Sequence, residues 1–362
     1  MKKTRKKVMI VLISIISVIL IFFLVWVLMS PGTIRKYTGE KSLSEKFVTE
    51  INGAPNGFFI NSKNTDNPVL LFVSSGPGTD DYVFTDKYKD MNLEDYFTVV
   101  YWDYRDMGIA YDKNYDTSEI TLDNLMDDVH AVTQYLKDRF SKEKIYIMGF
   151  SGGTHLALRS AKMYPEDYIA LINMAQCVTD SPDNDELMYN FMKDVFTKRG
   201  DQKSLKKLEA SVERNADGQV VCKDWYNYVY LLHDAGGGTI YNKSEFTGIT
   251  LPILTCKCYT VKEKLNYVTA MKMYRKTPLS EELDNFDYRN EITKLQIPAY
   301  FISGEYDYNC PWELVEEYNE MLEAPDKGFY LISNSAHSPL WENPEETIQV
   351  MTEIKEKNSN ER

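Results

Sequence analysis

The stretch Ile145-Tyr146-Ile147-Met148-Gly149-Phe150-Ser151-Gly152-Gly153 decides the fold. Ile145 to Met148 reads as a buried strand, Gly149 to Gly153 matches G-x-S-x-G, and Leu156, Ala157, Ser160 and Ala161 begin a helix that stops near Pro165. A serine on so sharp a strand-to-helix turn is strained and needs small neighbours, and the turn projects its hydroxyl out of the sheet. The pentapeptide alone also fits an ordinary turn or a phosphate cradle. Its place between an apolar strand and a helical pattern gives it meaning.

On either side of this turn, strand-length apolar runs alternate with amphipathic patterns. Val69–Val73, Thr98–Trp102, Ala299–Ile302 and Phe329–Ile332 read as strands. Leu122, Leu125, Met126, Val129, Val132, Leu136 and Phe140 recur at helical spacing, and further helices are expected from about Pro311 to Leu322 and from about Pro344. Such alternation is the signature of an α/β fold with a mostly parallel central sheet. Between about Val178 and Thr293 it breaks, and helical patterns dominate, as at Met188, Phe191, Met192, Val195 and Phe196. Strands then return, so the expected insertion is a helical cap that interrupts one sheet. There is no internal repeat and no low-complexity segment.

The chain has 362 residues, 41 Lys and Arg against 54 Asp and Glu, and a net charge of −13, which excludes a nucleic-acid binder that works by neutralising phosphates. With 43% hydrophobic residues, 18 Gly and 13 Pro, it is neither disordered nor collagen-like. Its five cysteines are scattered and odd in number, which argues against a disulfide framework. Cys256-Lys257-Cys258 lacks the second pair of a zinc site, so all five read as ordinary small residues. No H-E-x-x-H, paired C-x-x-C or Walker A lysine motif is present, and no metal or organic cofactor is implied.

Charge is uneven. Lys2, Lys3, Arg5, Lys6 and Lys7 precede Val8 to Met29, a stretch with no charged residue and only Ser14 and Ser17 polar. As a helix at ~1.5 Å per residue it is roughly 33 Å long, enough to cross a hydrocarbon core of about 30 Å. A cleaved signal peptide would have a shorter apolar region of about 7–15 residues and small residues after it. Val27-Leu28-Met29-Ser30-Pro31 is a poor cleavage site, and no polar face marks a buried helix. The reading is an uncleaved transmembrane anchor. Basic residues before the span put the amino terminus inside and the bulk of the chain outside the cytoplasmic membrane, although Arg35, Lys36, Lys41 and Lys46 soften the contrast. The expected organisation is a basic cytoplasmic segment (1–7), a transmembrane anchor (8–29), a connector (30–46), a first core part (47–177), a helical cap (178–293) and a second core part (294–362).

A nucleophilic serine needs a base, and the chain offers four histidines. His130 lies on the helix before the nucleophile strand, as an ordinary boundary residue. His155 sits one helical turn beyond Ser151, pointing away from the hydroxyl or into packing. His233 falls in the inserted region, where it could line a pocket. His337, in Ser335-Ala336-His337-Ser338-Pro339, follows the strand Phe329–Ile332 at its carboxyl end, where sites of open α/β sheets gather. It is the expected base. Asp307, in Ser303-Gly304-Glu305-Tyr306-Asp307, is the expected orienting carboxylate, with Glu305 the alternative. An Asp after a strand also commonly just closes a turn. The order Ser151, Asp307, His337 is that of the α/β-hydrolases.

Ser74-Ser75-Gly76-Pro77-Gly78 follows the strand Val69–Val73. A glycine-rich turn there can aim a backbone N–H at a developing oxyanion beside the N–H of the residue after the nucleophile, which makes Gly76 and Gly152 the candidate donors.

These motifs resemble the proline iminopeptidase-like α/β-hydrolases, serine peptidases with a helical cap. The resemblance covers about Pro68 to Val178 and Pro298 to Thr347, with the cap matching in placement only. Where that family carries His-Gly-Gly-Pro-Gly, this chain has Ser74-Ser75-Gly76-Pro77-Gly78. Asp-Gln-Arg-Gly-x-Gly is matched by Asp103-Tyr104-Arg105-Asp106-Met107-Gly108, and Gly-Arg-Tyr-Asp with a following Cys-Pro by Gly304–Asp307 and Cys310-Pro311. Gly-His-Ser is matched by Ala336-His337-Ser338, and in Gly-Gly-Ser-Trp-Gly the Trp is replaced by Gly152. Asp103 and Arg105 read as a structural pair that braces the site.

The resemblance implies an aminopeptidase or iminopeptidase acting on small peptides through an acyl-enzyme. A carboxylesterase or lipase-like enzyme is the alternative, since Gly152 opens space that a Trp would fill. The third reading is a catalytically silent binding protein on a hydrolase scaffold, against which the intact triad residue types argue. An enzyme that reads a free amino terminus needs cap carboxylates, because a buried ammonium without a partner is costly. Glu186, Glu209, Glu213 and Glu245 are available for this, and Trp225, Tyr226, Tyr228 and Tyr230 either line a pocket or pack the cap.

Overall fold

The computed structural model describes residues 2–76, 81–88 and 92–359. Helix α1 (Lys2–Leu28) leads into strands β1 (Leu43–Ile51), β2 (Ala54–Ser62) and β3 (Val69–Val73), then α2 (Tyr82–Lys87) and β4 (Thr98–Asp103). Helix α3 (Leu122–Phe140), β5 (Ile145–Phe150), α4 (Gly153–Met163) and β6 (Tyr168–Met174) follow. Between β6 and the next sheet strand come α5 (Pro182–Arg199), α6 (Gln202–Ala210), the hairpin β7 (Val212–Arg214) and β8 (Val220–Cys222), α7 (Trp225–Ala235), α8 (Leu251–Thr255), α9 (Val261–Tyr274), α10 (Pro278–Glu282) and α11 (Tyr288–Glu291). The chain closes with β9 (Ala299–Gly304), α12 (Trp312–Met321), β10 (Lys327–Ile332), α13 (Pro339–Glu342) and α14 (Pro344–Lys357).

The main sheet has the order β1-β2-β4-β3-β5-β6-β9-β10. β1 and β2 pair antiparallel to each other and β2 antiparallel to β4, while every pair from β4 to β10 is parallel. This is the mostly parallel sheet with helical insertions of the α/β-hydrolase fold. β1 begins at Leu43, inside the stretch read as a connector, and the insertion carries the β7–β8 hairpin as well as helices.

Alternate residues of the central strands enter opposite layers, as a period-two chain buried on both faces must. Val69, Leu71 and Val73 of β3 pack with α3, α4 and α12, whereas Leu70 and Phe72 pack with α2 and α14. Thr121 caps α3 by accepting from the Asn124 amide, and Ser141 ends it in the left-handed conformation. The helix thereby lays Leu125, Val129, Val132 and Leu136 on the sheet. Helices α5, α6 and α7 have a core of their own around Met188, Met192, Phe196, Leu208 and Leu232.

β3 lies between β4 and β5, so the chain leaves β3 toward one side of the sheet and returns to build on the other. That reversal opens a crevice at the carboxyl ends of β3 and β5, where ligands bind in open α/β sheets. Helix α1 is, among the described residues, the one long and apolar enough to cross a bilayer, and none of Met9–Leu28 is buried against the rest of the chain.

Candidate active site

Ser151 caps the end of β5 with φ of 51°, a left-handed conformation unusual for a residue with a side chain. Its amide donates to the Met174 carbonyl (3.0 Å) and its carbonyl accepts from the Thr154 amide (2.8 Å), which fixes the turn from both sides. A Cβ on Gly149 would lie 2.7 Å from the Thr154 Cα, and one on Gly153 would run into the Val73 carbonyl. The first and last glycines of the pentapeptide are therefore required by close backbone approach.

The His337 Nε2 is 2.8 Å from the Ser151 Oγ, and its Nδ1 is 3.0 Å from each Asp307 carboxylate oxygen. Three loops, after β5, β9 and β10, converge here. Asp307 is fully buried, and its Oδ1 accepts from the Asn309 and Cys310 amides at 3.0 Å, so the carboxylate is held in place as well as aimed. Burial pushes the His337 imidazole down. The carboxylate of Asp307, with Cys177 and Glu342, outweighs burial, and the net shift is upward from 6.5. Such a set can take a proton from the serine hydroxyl, hold the imidazolium and return the proton to a leaving group.

Glu305 faces elsewhere, accepting from the Asn334 amide at 2.7 Å. The other histidines sit apart from the hydroxyl. His130 stacks on Tyr164 and lies 3.2 Å from Asp167, while His155 bonds the Tyr288 hydroxyl at 2.7 Å against the edge of Phe286. His233 is buried against Gly238, and burial, with the His337 charge nearby, pushes it down to about 4.

Gly76 and Gly152 come together. A Cβ on Gly152 would lie 2.6 Å from the Ser75 carbonyl oxygen and 3.2 Å from the Gly76 Cα. This corrects the expectation that Gly152 opens a void, because the Ser75–Gly76 backbone occupies the space. Pro77 and Gly78 of the same turn lie outside the described residues. Ser75 is tied to Asp81 through its amide and hydroxyl, and the buried Tyr104 hydroxyl donates to the Ser74 carbonyl.

Asp103 and Arg105 do not pair with each other. The Arg105 guanidinium makes a two-point contact with Asp128 of α3 (Nε to Oδ2 2.5 Å, Nη2 to Oδ1 2.6 Å), and Asp103 accepts from the Ile109 amide at 2.7 Å. The reason is geometric: Asp103 ends β4 facing its own loop, where Gly108 leaves room for the carboxylate, while Arg105 reaches over to α3. Asp128 had no sequence signal, since Asp127 beside it is equally acidic.

Ser151 and His337 open into a cavity of about 780 Å³ lined by Phe150, Trp225, Ile249, Tyr267, Met271 and Leu283, with Asp284 the one carboxylate among the described lining residues. None of Glu186, Glu209, Glu213 or Glu245 lines it, and Glu209 instead accepts from the Tyr189 hydroxyl at 2.6 Å. Of the four aromatics, Trp225 faces the cavity, Tyr228 packs the core of α5–α7, and Tyr226 and Tyr230 are exposed. Cys177 and Cys310 also line it, as free thiols with their sulfurs 3.6 Å apart.

Fold and site together define a serine hydrolase of the α/β-hydrolase type. The family model for serine aminopeptidase S33 matches residues 70–227. A Bacillus subtilis (strain 168) protein named "Probable aminopeptidase YbaC" is 28% identical over 311 residues, covering 84% of this chain and 94% of its own length. Among solved structures, proline iminopeptidase from Mycobacterium smegmatis superposes with a TM-score of 0.59 at 16% identity (87% of this chain, 98% of that one). A proline iminopeptidase-related protein from Thermus thermophilus gives 0.56 at 18% identity (86% and 97%). The chain has an α/β-hydrolase fold and is similar to the S33 and proline iminopeptidase family.

Proposed function

We propose that the protein is a membrane-anchored serine hydrolase working through an acyl-enzyme, with small peptides as substrates in the manner of an aminopeptidase or proline iminopeptidase. The observation that carries the reading is the hydrogen-bonded line from Ser151 through His337 to Asp307. Ser151 Oγ attacks the carbonyl carbon as His337 Nε2 takes its proton. The tetrahedral oxyanion is met by the Gly76 and Gly152 amides, and His337 then protonates the leaving amine as its bond to carbon breaks. Water repeats the sequence, giving its proton to His337 and its oxygen to the acyl group, and Ser151 is restored. Residues 178–293 form a cap over this site, and Asp103 and Arg105 support it through separate partners. The names of the relatives favour the peptidase reading.

The carboxylesterase reading is favoured by one observation, the apolar cavity lining with a single carboxylate among its described residues. Residues 8–29 are assigned as the anchor because no residue of Met9–Leu28 is buried and basic residues precede the span, with the catalytic part outside the cytoplasmic membrane. The deciding experiment is turnover of free peptides, amino-acetylated peptides and short-chain esters by the full chain in detergent. Faster cleavage of free peptides supports the peptidase, and activity confined to esters overturns it. No turnover of any of these, with no fluorophosphonate labelling, would make it a silent scaffold.

A further inference from the structure

The part of the chain that receives the end of α1 differs from the rest of the surface. Trp26 Nε1 donates to the Leu254 carbonyl at 2.9 Å. Lys264, itself buried, extends its ammonium to Ser30 Oγ (2.7 Å) and to the Leu254 and Cys256 carbonyls (3.0 and 2.8 Å). Beyond it the Thr33 amide donates to the Lys257 carbonyl at 2.9 Å, and Pro31 bridges to Thr260. The segment through α8 and α9 is thus stapled to the base of the proposed anchor.

That same segment leaves large apolar side chains in the open: Phe246 (57% exposed), Leu251, Leu254, Leu265 (56%), Val268 and Met271. An outward helix face on a soluble domain is ordinarily polar, and α9 presents Leu265, Val268 and Met271 there instead. Its charge is inverted as well. Residues 243–276 hold seven Lys and Arg against only Glu245 and Glu263, in a chain of net charge −13. Lys257, Lys262, Lys272, Arg275 and Lys276 are exposed around the apolar row. Apolar residues flanked by cations are the composition of a surface that lies in the interface of an anionic bilayer.

We infer that the 246–276 face rests on the anionic surface of the bilayer beside α1, so that the catalytic part is docked on the membrane rather than merely tethered to it. The inference rests on the anchor reading above. Met271 is both exposed on this face and part of the cavity lining, so the docked surface is continuous with the mouth of the site. Substrate reaches Ser151 from the membrane interface, which selects molecules that partition there: acylated or apolar peptides and esters with an apolar chain.

The test is photo-crosslinking of the full chain in vesicles of phosphatidylglycerol and phosphatidylcholine, with a photoreactive residue at Leu265, Val268, Leu20 or Met321. Met321 is comparably exposed but ends α12, whose Leu314, Val315 and Tyr318 pack in a different layer from Ile253 of α8 and Tyr267 of α9. Lipid adducts at Leu265 and Val268 are expected at about ten times the Met321 yield, and should fall in vesicles of phosphatidylcholine alone while Leu20 is unchanged. Adducts at Leu20 with only background at Leu265 and Val268 would overturn the docking and leave the anchor. Background at Leu20 as well would overturn the anchor and the docking with it. Equal adducts in both vesicle compositions would overturn the role given to the cations.

Discussion

The carboxylate of Glu342 holds the backbone on both sides of His337. Its Oε1 accepts from the Ala336 amide at 3.1 Å and the Ser338 amide at 2.9 Å, and the other oxygen accepts from the Tyr241 amide at 2.6 Å. One side chain therefore positions the His337 loop and ties it to the segment after α7. The His337 amide also meets the Gly238 carbonyl, and the Tyr308 amide the Gly237 carbonyl, so the insertion touches the loops that carry His337 and Asp307.

Glu342→Gln is expected to lower kcat by about tenfold with little change in KM, because one of the amides it serves would face an NH2 group. Glu342 also contributes to raising the His337 pKa, so the acid limb of the pH profile should move to lower pH in the variant. A purely structural role would lower the folded fraction without moving that limb.

The base must be neutral to accept the serine proton. Because the His337 pKa is raised above 6.5, activity in the wild-type protein should already be falling at pH 6.5 as the pH is lowered. Asp307→Asn removes the largest raising influence. Its acid limb should lie lower, and kcat should drop by about 10³–10⁴-fold. A pH–rate series on both proteins checks the sign, and an unmoved limb would argue against the Asp307–His337 coupling.

Ser151→Ala should abolish fluorophosphonate labelling, and Glu305→Ala should leave it nearly intact, since Glu305 bonds Asn334 rather than His337. Retained labelling in Ser151→Ala would assign the nucleophile elsewhere.

Arg105 and Asp128 are both buried, and removal of one leaves the other charge without its partner. Asp128→Ala should cost about 3–5 kcal/mol of stability, read from urea unfolding. A loss below about 1 kcal/mol would mean that water replaces the carboxylate.

The convergence of Ser151, His337 and Asp307 was legible because each sits in a short motif tied to a strand end, where chain order and strand position leave few choices. Strands β1 and β2 were not. β1 mixes Ser44, Glu45, Lys46, Thr49 and Glu50 into an edge strand, and Pro55-Asn56-Gly57 in β2 has turn chemistry, so local preference pointed away from a sheet that tertiary pairing supplies. β6 offers only the short apolar run Tyr168 to Ile172 before Asn173, which periodicity cannot tell from a buried helix. The partner of Arg105 and the carboxylate near the cavity depend on how distant segments are brought together. Nothing local to Asp128 or Asp284 marks either one.

Gly152 carries the sharpest prediction about the oxyanion wall. The family resemblance places a Trp at this position, and substitution by glycine suggested a widened pocket. Instead the Ser75–Gly76 backbone has closed onto it, with the Ser75 carbonyl 2.6 Å from where a Cβ would stand. Even Gly152→Ala must therefore push Ser75 and Gly76 away. Ser75 resists through its bonds to Asp81, and the Ser74 carbonyl is held by the Tyr104 hydroxyl, so the displacement falls on the Gly76 amide. Loss of one oxyanion donor costs about 10²–10³ in kcat, and Gly152→Ala should approach that loss with a melting temperature close to wild type. Gly152→Trp should be worse, although it restores the Trp of the motif that this turn resembles. If Gly152→Ala kept full kcat, the Ser75–Gly76 turn would be yielding freely and could not be the wall that stabilises the transition state.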